Sequence, residues 1–417
     1  MKDGVEQSPP AAEAPTRLMY LAHMRVPSPR AHTHQIMQMC EALADEGCEV
    51  TLLCGRIGRG GSQAPDPWEA YGVKRNFALE PMPSLDLAAL SRRLPRSLRP
   101  VVLGLLWAQS LLVYSLAIAL RLRREDRAIV YSRDALPLWI LARLWPGRAE
   151  RLVFEAHTCP SRWPGKNLRR DLARRIGAMV VVTRNLQRRL HERGISPRRV
   201  LVAHDGVRLA RFALDGDRRA WRAKLDWPTE AFIVGYAGRL ETLDMDKGVA
   251  FLASAVAELA TDPGRRWAHL ALVGPSEREL ESLRSGSPAG MFLSLGWIHP
   301  ARLPGILRAM DVCAIPFPWT EHLAYDASPL KLFEYMASGT PIVASDLPAI
   351  AEVLRHEWNA LMVPPGDLQA WGQALRRLRD EPGLGDRLAR QAAFDVREFS
   401  WDIRARRVVE LLHAAEG

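Results

Sequence analysis

The chain predicts an α/β protein built from two doubly wound parallel-sheet domains that face each other across a cleft. Three observations carry this. Short apolar runs alternate with helically spaced segments along nearly the whole length. The apolar runs are continuous rather than alternating, so both faces of each sheet are covered. And 417 residues suffice for two complete cores.

The elements follow in order. Arg17-Leu18-Met19-Tyr20-Leu21-Ala22 is the first apolar run, followed by a loop with Pro27, Pro29, His32 and His34. Gln35 to Asp45 has helical spacing through Ile36, Met39, Cys40 and Leu43; Gly47 ends it and Glu49–Leu53 is the next strand. That β-α-β unit seeds a parallel sheet. Further strands are expected at 128–131, 152–155, 179–182 and 200–203. A second series begins after Gly206, with strands at 232–236, 270–273, 291–293, 312–315 and 341–344. The domain boundary is therefore expected near 205–215. In such sheets ligands lie at the carboxyl ends of the strands, so the cleft between the domains is the natural site.

Composition is that of an ordinary globular chain, 48% hydrophobic and 25% charged. Five cysteines (Cys40, Cys48, Cys54, Cys159, Cys313) form no C-x-x-C pair, which fits buried thiols in a reducing cytosol. Positions 1–16 are polar and rich in Pro and Ala, and read as a disordered tail rather than a signal peptide. Net charge is +10, unevenly spread. Residues 1–215 hold 34 Lys+Arg and 20 Asp+Glu (+14), leaving 23 and 27 (−4) for 216–417. The basic half suits either general solubility or an anionic partner, such as a phospholipid surface or a phosphorylated acceptor. No interleaved aromatic and basic pattern points to nucleic acid.

Val101 to Leu120 is nearly all apolar, and as a helix it would be about 30 Å long. A membrane span would put strands of one sheet on opposite sides of a bilayer. The expectation is a buried or partly buried domain helix, with a helix lying in a membrane interface as the alternative.

Chemistry concentrates in the second half. After the strand 232–236 comes Gly238-Arg239, a tight turn with a cation, and then Lys247-Gly248 opens a helix. A small residue lets backbone approach a ligand, and Arg and Lys at a strand end can clamp a diphosphate. Many surface loops carry as much. The stronger signal is Asp326-Ala327-Ser328-Pro329-Leu330-Lys331-Leu332-Phe333-Glu334, two acids separated by seven residues. A helix starting near Ser328-Pro329 offers its first N–H groups to phosphate. Glu334, two turns in, can accept from both ribose hydroxyls, and Asp326 from sugar hydroxyls. Taken singly, Asp326 reads as a helix cap and Glu334 as part of a solvated helix face.

This string, continued by Tyr335-Met336-Ala337-Ser338-Gly339-Thr340-Pro341, resembles the acid-x7-acid hallmark of the retaining glycosyltransferases of the GT-B fold, in particular the large family-4 group. Val234–Leu240 with Lys247-Gly248, Asn359–Asp367, Phe154-Glu155-Ala156-His157 and Asp205-Gly206-Val207 resemble further elements in the expected order. The resemblance covers roughly residues 17–405. It implies two Rossmann-like domains: an acceptor-side domain at 17–208, a nucleotide-sugar domain at 209–390, and a helical segment at 391–417 crossing back. It implies a hexosyltransferase that needs no metal or other cofactor. Arg239 and Lys247 would hold the leaving diphosphate, with Gly238, Ser328, Leu330 and Lys331 around the donor. Glu334 would bind ribose and Asp326 the sugar, and His157 would sit at the cleft floor, where it otherwise reads as a core histidine. The partners implied are a nucleotide-sugar donor and an acceptor glycan; the basic first half and the apolar stretch point further to a lipid-linked sugar as acceptor and to peripheral contact with an anionic membrane on its cytoplasmic face. Two departures stand out: the first acid is Asp where Glu is common, and the early loop has Pro27-Ser28-Pro29-Arg30-Ala31-His32 in place of a Gly-Gly pair.

Asp215-x-Asp217 and Asp244-x-Asp246 imitate a metal-binding motif but lack supporting ligands, and read as chance occurrences. A dinucleotide oxidoreductase would need G-x-G-x-x-G after the first strand, where no Gly occurs until Gly47. A nucleotide-sugar epimerase of the same fold, a non-catalytic sugar-nucleotide scaffold and a membrane-surface module stay open on sequence alone.

Overall fold

The computed structural model describes residues 15–28, 30–57, 66–85, 99–160, 165–242, 245–262 and 267–414. Most of the expected N-terminal tail, Pro29 and Asp244 lie outside the described residues. The first domain runs β1 (Arg17–Val26), α1 (Ala31–Asp45), β2 (Glu49–Ile57), α2 (Pro67–Tyr71), β3 (Ala78–Pro81), α3 (Arg99–Leu122), β4 (Ile129–Ser132) and α4 (Ala135–Leu144). It continues through β5 (Leu152–Ala156), α5 (Gly165–Ala173), β6 (Ala178–Val181), α6 (Arg184–Glu192) and β7 (Val200–Val202). All seven strands are parallel, in the order β3-β2-β1-β4-β5-β6-β7.

The second domain runs α7 (Arg218–Lys224), β8 (Phe232–Ala237), β9 (Glu241–Thr242), β10 (Met245–Asp246), α8 (Val249–Ala260), β11 (Ala268–Val273), α9 (Glu277–Arg284) and β12 (Phe292–Ser294). Then come α10 (Leu303–Arg308), β13 (Val312–Ile315), α11 (Leu330–Ser338), β14 (Ile342–Ser345), β15 (Leu361–Val363), α12 (Leu368–Asp380), α13 (Pro382–Asp395) and α14 (Trp401–His413). Its six-stranded parallel sheet has the order β12-β11-β8-β13-β14-β15, and β9 and β10 pair as a small antiparallel ribbon.

Side chains of successive strand residues point to opposite faces, and here both faces are covered. In β1, Leu18, Tyr20 and Ala22 pack with Met39, Cys40 and Leu43 of α1, while Met19 and Leu21 pack with Tyr114 and Ile118 of α3. In β8, Ile233 and Ala237 face one core, and Phe232, Val234 and Tyr236 the other. That double coverage is why the strands read as unbroken apolar runs.

The chain crosses between the domains twice, and the crossings touch. Val207 donates its N–H to Phe399 O at 3.0 Å, and Trp401 donates to Val207 O at 3.2 Å. The return crossing lies at 396–400, not at 391. Ala392 and Val396 still belong to the second core, whereas Trp401, Ala405, Val408 and Leu412 of α14 are buried in the first.

The apolar stretch 101–120 belongs to α3, which divides along its length. Its later half packs inward through Leu111, Tyr114, Ile118 and Leu122, and Tyr114 Oη bridges β1 and β2 by accepting from Ala22 N and donating to Leu53 O. Its first half exposes an apolar face, with Leu105 66% and Trp107 58% exposed, while Ser110 is buried beside His23 of β1. By length and composition this helix could cross a membrane. It does not, because β1 before it pairs directly with β4 after it.

Candidate active site

Both sheets reverse their winding direction at an internal point, the second between β8 and β13. Loops leaving the two strands at such a point open a crevice at their carboxyl ends. Gly238 and Arg239 leave β8 there, and Phe317 follows β13. Gly238 has φ +129°, and a Cβ on it would lie 2.9 Å from Lys331 Nζ. Gly248 has φ +74°, and a Cβ there would lie 1.8 Å from Pro316 O. Glycine is required at both: the first lets backbone reach the crevice, and the second brings the Lys247 loop against the end of β13.

Two lysines meet at this edge, with Arg239 on the turn that leaves β8. Lys331 Nζ lies 3.5 Å from the centroid of the Tyr236 ring and 5.7 Å from that of Phe317, and Lys247 Nζ lies 5.2 Å from the same Phe317 ring. Burial lowers the pKa of both lysines, and for Lys331 the neighbouring Lys247 adds to the effect. The acids acting on them are Asp246 on Lys247 and Glu334 on Lys331. Arg239 is exposed at the rim, its turn fixed by a 2.9 Å hydrogen bond from Tyr236 Oη to Arg239 O. Two lysines crowded around two aromatic rings, with an arginine at the rim, can receive a polyanion.

α11 enters the same edge. Pro329 is extended (φ −77°, ψ 128°), so the helix begins at Leu330 rather than at Ser328-Pro329, and no side chain caps its first turn. Glu334 therefore sits one turn in, not two. It lines a recess with His34, Arg208, Arg211, Pro300 and Leu303. Burial pushes its carboxyl up to about 7, against the pull of Lys331 and Arg211. Glu334 is half-buried in the wall of this recess. Leu330 packs against the first-domain core, and Ser328 Oγ accepts from Asp205 N at 2.9 Å. Ser328 thus uses one acceptor position of its hydroxyl to hold the interdomain crossing at Asp205, and its O–H stays available to donate.

His157 follows β5 and is mostly buried; its Nε2 lies 2.5 Å from Glu155 Oε1. Burial, with Arg133 nearby, pushes the imidazole down to about 4 despite the Glu155 carboxylate. It is neutral at pH 7.

Asp326 is not an exposed cap. It ends a wide helical turn, His322–Asp326, and is 4% exposed. Its Oδ2 accepts from Cys159 N at 3.0 Å and its Oδ1 pairs with Arg189. The second-domain acid thus meets the first domain two residues beyond His157. A sugar hydroxyl reaching Asp326 would share or replace these donors. Beside it, Thr183 Oγ1 donates to Tyr325 O, and Glu352 accepts from Arg184 N and Asn185 N, capping α6 from the opposite domain.

Among the described residues one group has metal-ligand spacing: Glu155, His157 and Asp205, with ligand atoms within 4.8 Å of one another. Glu155 already takes Gln35 and Tyr131 as hydrogen-bond donors and Arg404 as an ion-pair partner. A dication there would face Arg404 and Arg133, which disfavours it. The Asp-x-Asp pairs have structural uses: Asp217 caps α7 by accepting from Ala220 N, and Asp246 accepts from Gly248 N.

Sequence reasoning missed Arg189, Glu352, Arg404 and Phe317. Only Phe317, two residues past a strand end, had a positional signal; the others depend on apposition of distant segments.

Two family models match, one on each domain: Glycosyltransferase Family 4 over residues 33–211 and Glycosyl transferases group 1 over 231–381. Relatives include the D-inositol 3-phosphate glycosyltransferase of Rhodococcus jostii, 27% identical over 402 residues, with 90% of this chain and 82% of that one covered. The enzyme of the same description from Salinispora tropica is 32% identical over 221 residues, 49% of this chain and 44% of its own. Sucrose-phosphate synthase of Thermosynechococcus elongatus superposes with a TM-score of 0.73 at 19% identity, covering 96% of this chain and 98% of that one. Anabaena HepE in complex with UDP and glucose superposes with a TM-score of 0.69 at 17% identity, covering 96% and 100%. These structural likenesses concern the two-domain fold.

Proposed function

The chain belongs to the group 1 glycosyltransferases of the GT-B fold, and from that premise we propose that it transfers a hexose from a nucleoside diphosphate sugar to an acceptor hydroxyl, with retention and without a metal ion. The observation that carries the reading is the second-domain edge where Lys247 and Lys331 share the Phe317 ring beside the first turn of α11 and Glu334, with Arg239 on the turn that leaves β8.

The chemistry follows from where charge appears. As the bond between the anomeric carbon and the phosphate oxygen breaks, negative charge grows on the diphosphate. Lys247, Lys331 and Arg239, with the N–H groups that open α11, stabilise it; one such donor is typically worth about 2.7–4 kcal/mol of barrier. These cations do for the leaving group what a divalent ion does elsewhere. Glu334 accepts from the ribose. Asp326 and His157 approach the sugar from opposite domains, and the neutral imidazole offers a hydrogen bond rather than a fixed charge. Retention rests on the family resemblance.

We assign the acceptor to a lipid-linked or envelope glycan handled at the inner face of a membrane. The support is the exposed apolar face on the first half of α3, with Val101, Leu105 and Trp107 exposed, in the strongly basic half of the chain.

The test is a panel of nucleoside diphosphate sugars followed by thermal stabilisation and by release of nucleoside diphosphate, with and without EDTA. One donor class should stabilise the protein and turn over equally in EDTA. No stabilisation by any donor would dispose of the proposal.

A further inference from the structure

Arg404 lies on α14, which has crossed back from the second domain, yet its guanidinium is buried beneath the first-domain sheet at 3% exposure. Its Nε donates to His204 O at 2.9 Å, and its Nη2 lies 3.2 Å from Glu155 Oε1. Glu155 is fully buried, accepts from Gln35 Nε2 at 2.8 Å and from the Tyr131 hydroxyl, and holds His157 Nε2 at 2.5 Å. The last helix of the chain thus reaches the candidate catalytic histidine through one intervening carboxylate.

We propose that Arg404 is a positioning residue for His157, acting through Glu155, so that α14 completes the active site as well as closing the fold. This deepens the glycosyltransferase reading and rests on its assignment of His157.

Burial favours the neutral acid for Glu155; Arg404 is the largest influence against it, helped by His157 and Arg133, and together they hold the carboxyl well below its usual range. Tyr20 and Tyr131 on the strands, Cys40 on α1 and Asp205 at the crossing also face the pair. An ionised carboxylate has only acceptor atoms, so His157 Nε2 must carry the imidazole proton. Without Arg404, Glu155 gains a proton and becomes a donor to Nε2, or stays charged and draws a proton onto His157. Either outcome removes the single neutral Nε2–H form.

The experiment compares wild type with Arg404→Met and Arg404→Lys. The first readout is ¹⁵N-histidine NMR of His157, assigned with His157→Asn, across pH. The second is kcat and KM for the donor. Wild type should show neutral Nε2–H imidazole at pH 7. Arg404→Met should lose that form, lower kcat about ten- to a hundredfold with donor KM nearly unchanged, and shift the acid limb of kcat; Arg404→Lys should recover part of each. A folded Arg404→Met with the wild-type tautomer, titration and kcat overturns the proposal. If Arg404→Met does not fold, Arg404→Gln decides: an unaltered spectrum and kcat overturn it, and an altered tautomer with lower kcat supports it. The NMR readout needs no turnover, so failure of the glycosyltransferase reading would appear separately, as absence of donor turnover in wild type.

Discussion

Asp326 of the second domain and Arg189 of the first form an ion pair across the cleft, and the other Asp326 oxygen accepts from Cys159 N at 3.0 Å. The acid assigned to the sugar is thus also a fastening between the domains. If Asp326 contacts sugar rather than nucleotide, Asp326→Asn should lower donor kcat by at least about tenfold while keeping affinity for the nucleoside diphosphate. Titration calorimetry with the diphosphate alone checks this; an equal loss of affinity would move Asp326 to the nucleotide.

Glu334 sets a pH dependence. Its carboxyl is raised to about 7 by burial, so it is largely protonated below that pH in the free protein. The ionised form accepts from two ribose hydroxyls with both oxygens and more strongly than the neutral acid, so nucleotide affinity should rise as pH increases through about 7. Glu334→Gln should flatten that component and Glu334→Ala should weaken binding at all pH values. Linkage gives the opposite sign for the unliganded fold. A raised carboxyl pKa adds stability below the unfolded value, and that stability is lost as pH rises towards 7. Glu334→Gln should therefore flatten the decline of Tm between pH 5 and 8.

Arg239→Ala and Lys247→Ala should each lower kcat by about a hundredfold or more, with a smaller rise in donor KM, because charge develops on the diphosphate mainly in the transition state. Steady-state kinetics decides. A large KM effect with intact kcat would mean uniform binding.

Asp311 and Arg222 test the fold alone. Arg222 is buried; it donates to Ala309 O, Thr229 O and Ala231 O and pairs with Asp311, which also accepts from Ile233 N at 2.7 Å. Asp311→Ala leaves a buried guanidinium without its counter-charge and should destabilise the protein by about 3–5 kcal/mol by urea unfolding, with kcat of the folded fraction unchanged.

Val101 and Leu105 of α3 are about two-thirds exposed. Val101→Glu with Leu105→Glu should leave Tm within a degree or two yet abolish binding to anionic phospholipid vesicles. Undiminished vesicle binding would remove α3 from the membrane proposal.

How much was legible in the sequence follows from which interactions are local. Strand runs such as Val312–Ile315 are apolar because both faces are covered, and they could be read directly. Asp326 and Glu334 were legible as a spaced pair, but their surroundings were not. Pro329 moves the helix start by its extended backbone, and the partners of Asp326 come from the other domain. β3 carries Glu80 and Pro81 at the sheet edge, so it shows no unbroken apolar run. Arg404 reads as one more surface arginine on an amphipathic helix; only the return of α14 to the first domain buries it.

The most direct measurement is a crystal structure of the protein with its nucleoside diphosphate bound. The expected result is pyrophosphate oxygens within hydrogen-bonding reach of Arg239, Lys247 and the first N–H groups of α11, with ribose hydroxyls on Glu334. Nucleotide bound elsewhere, or ribose pointing away from Glu334, would contradict the account.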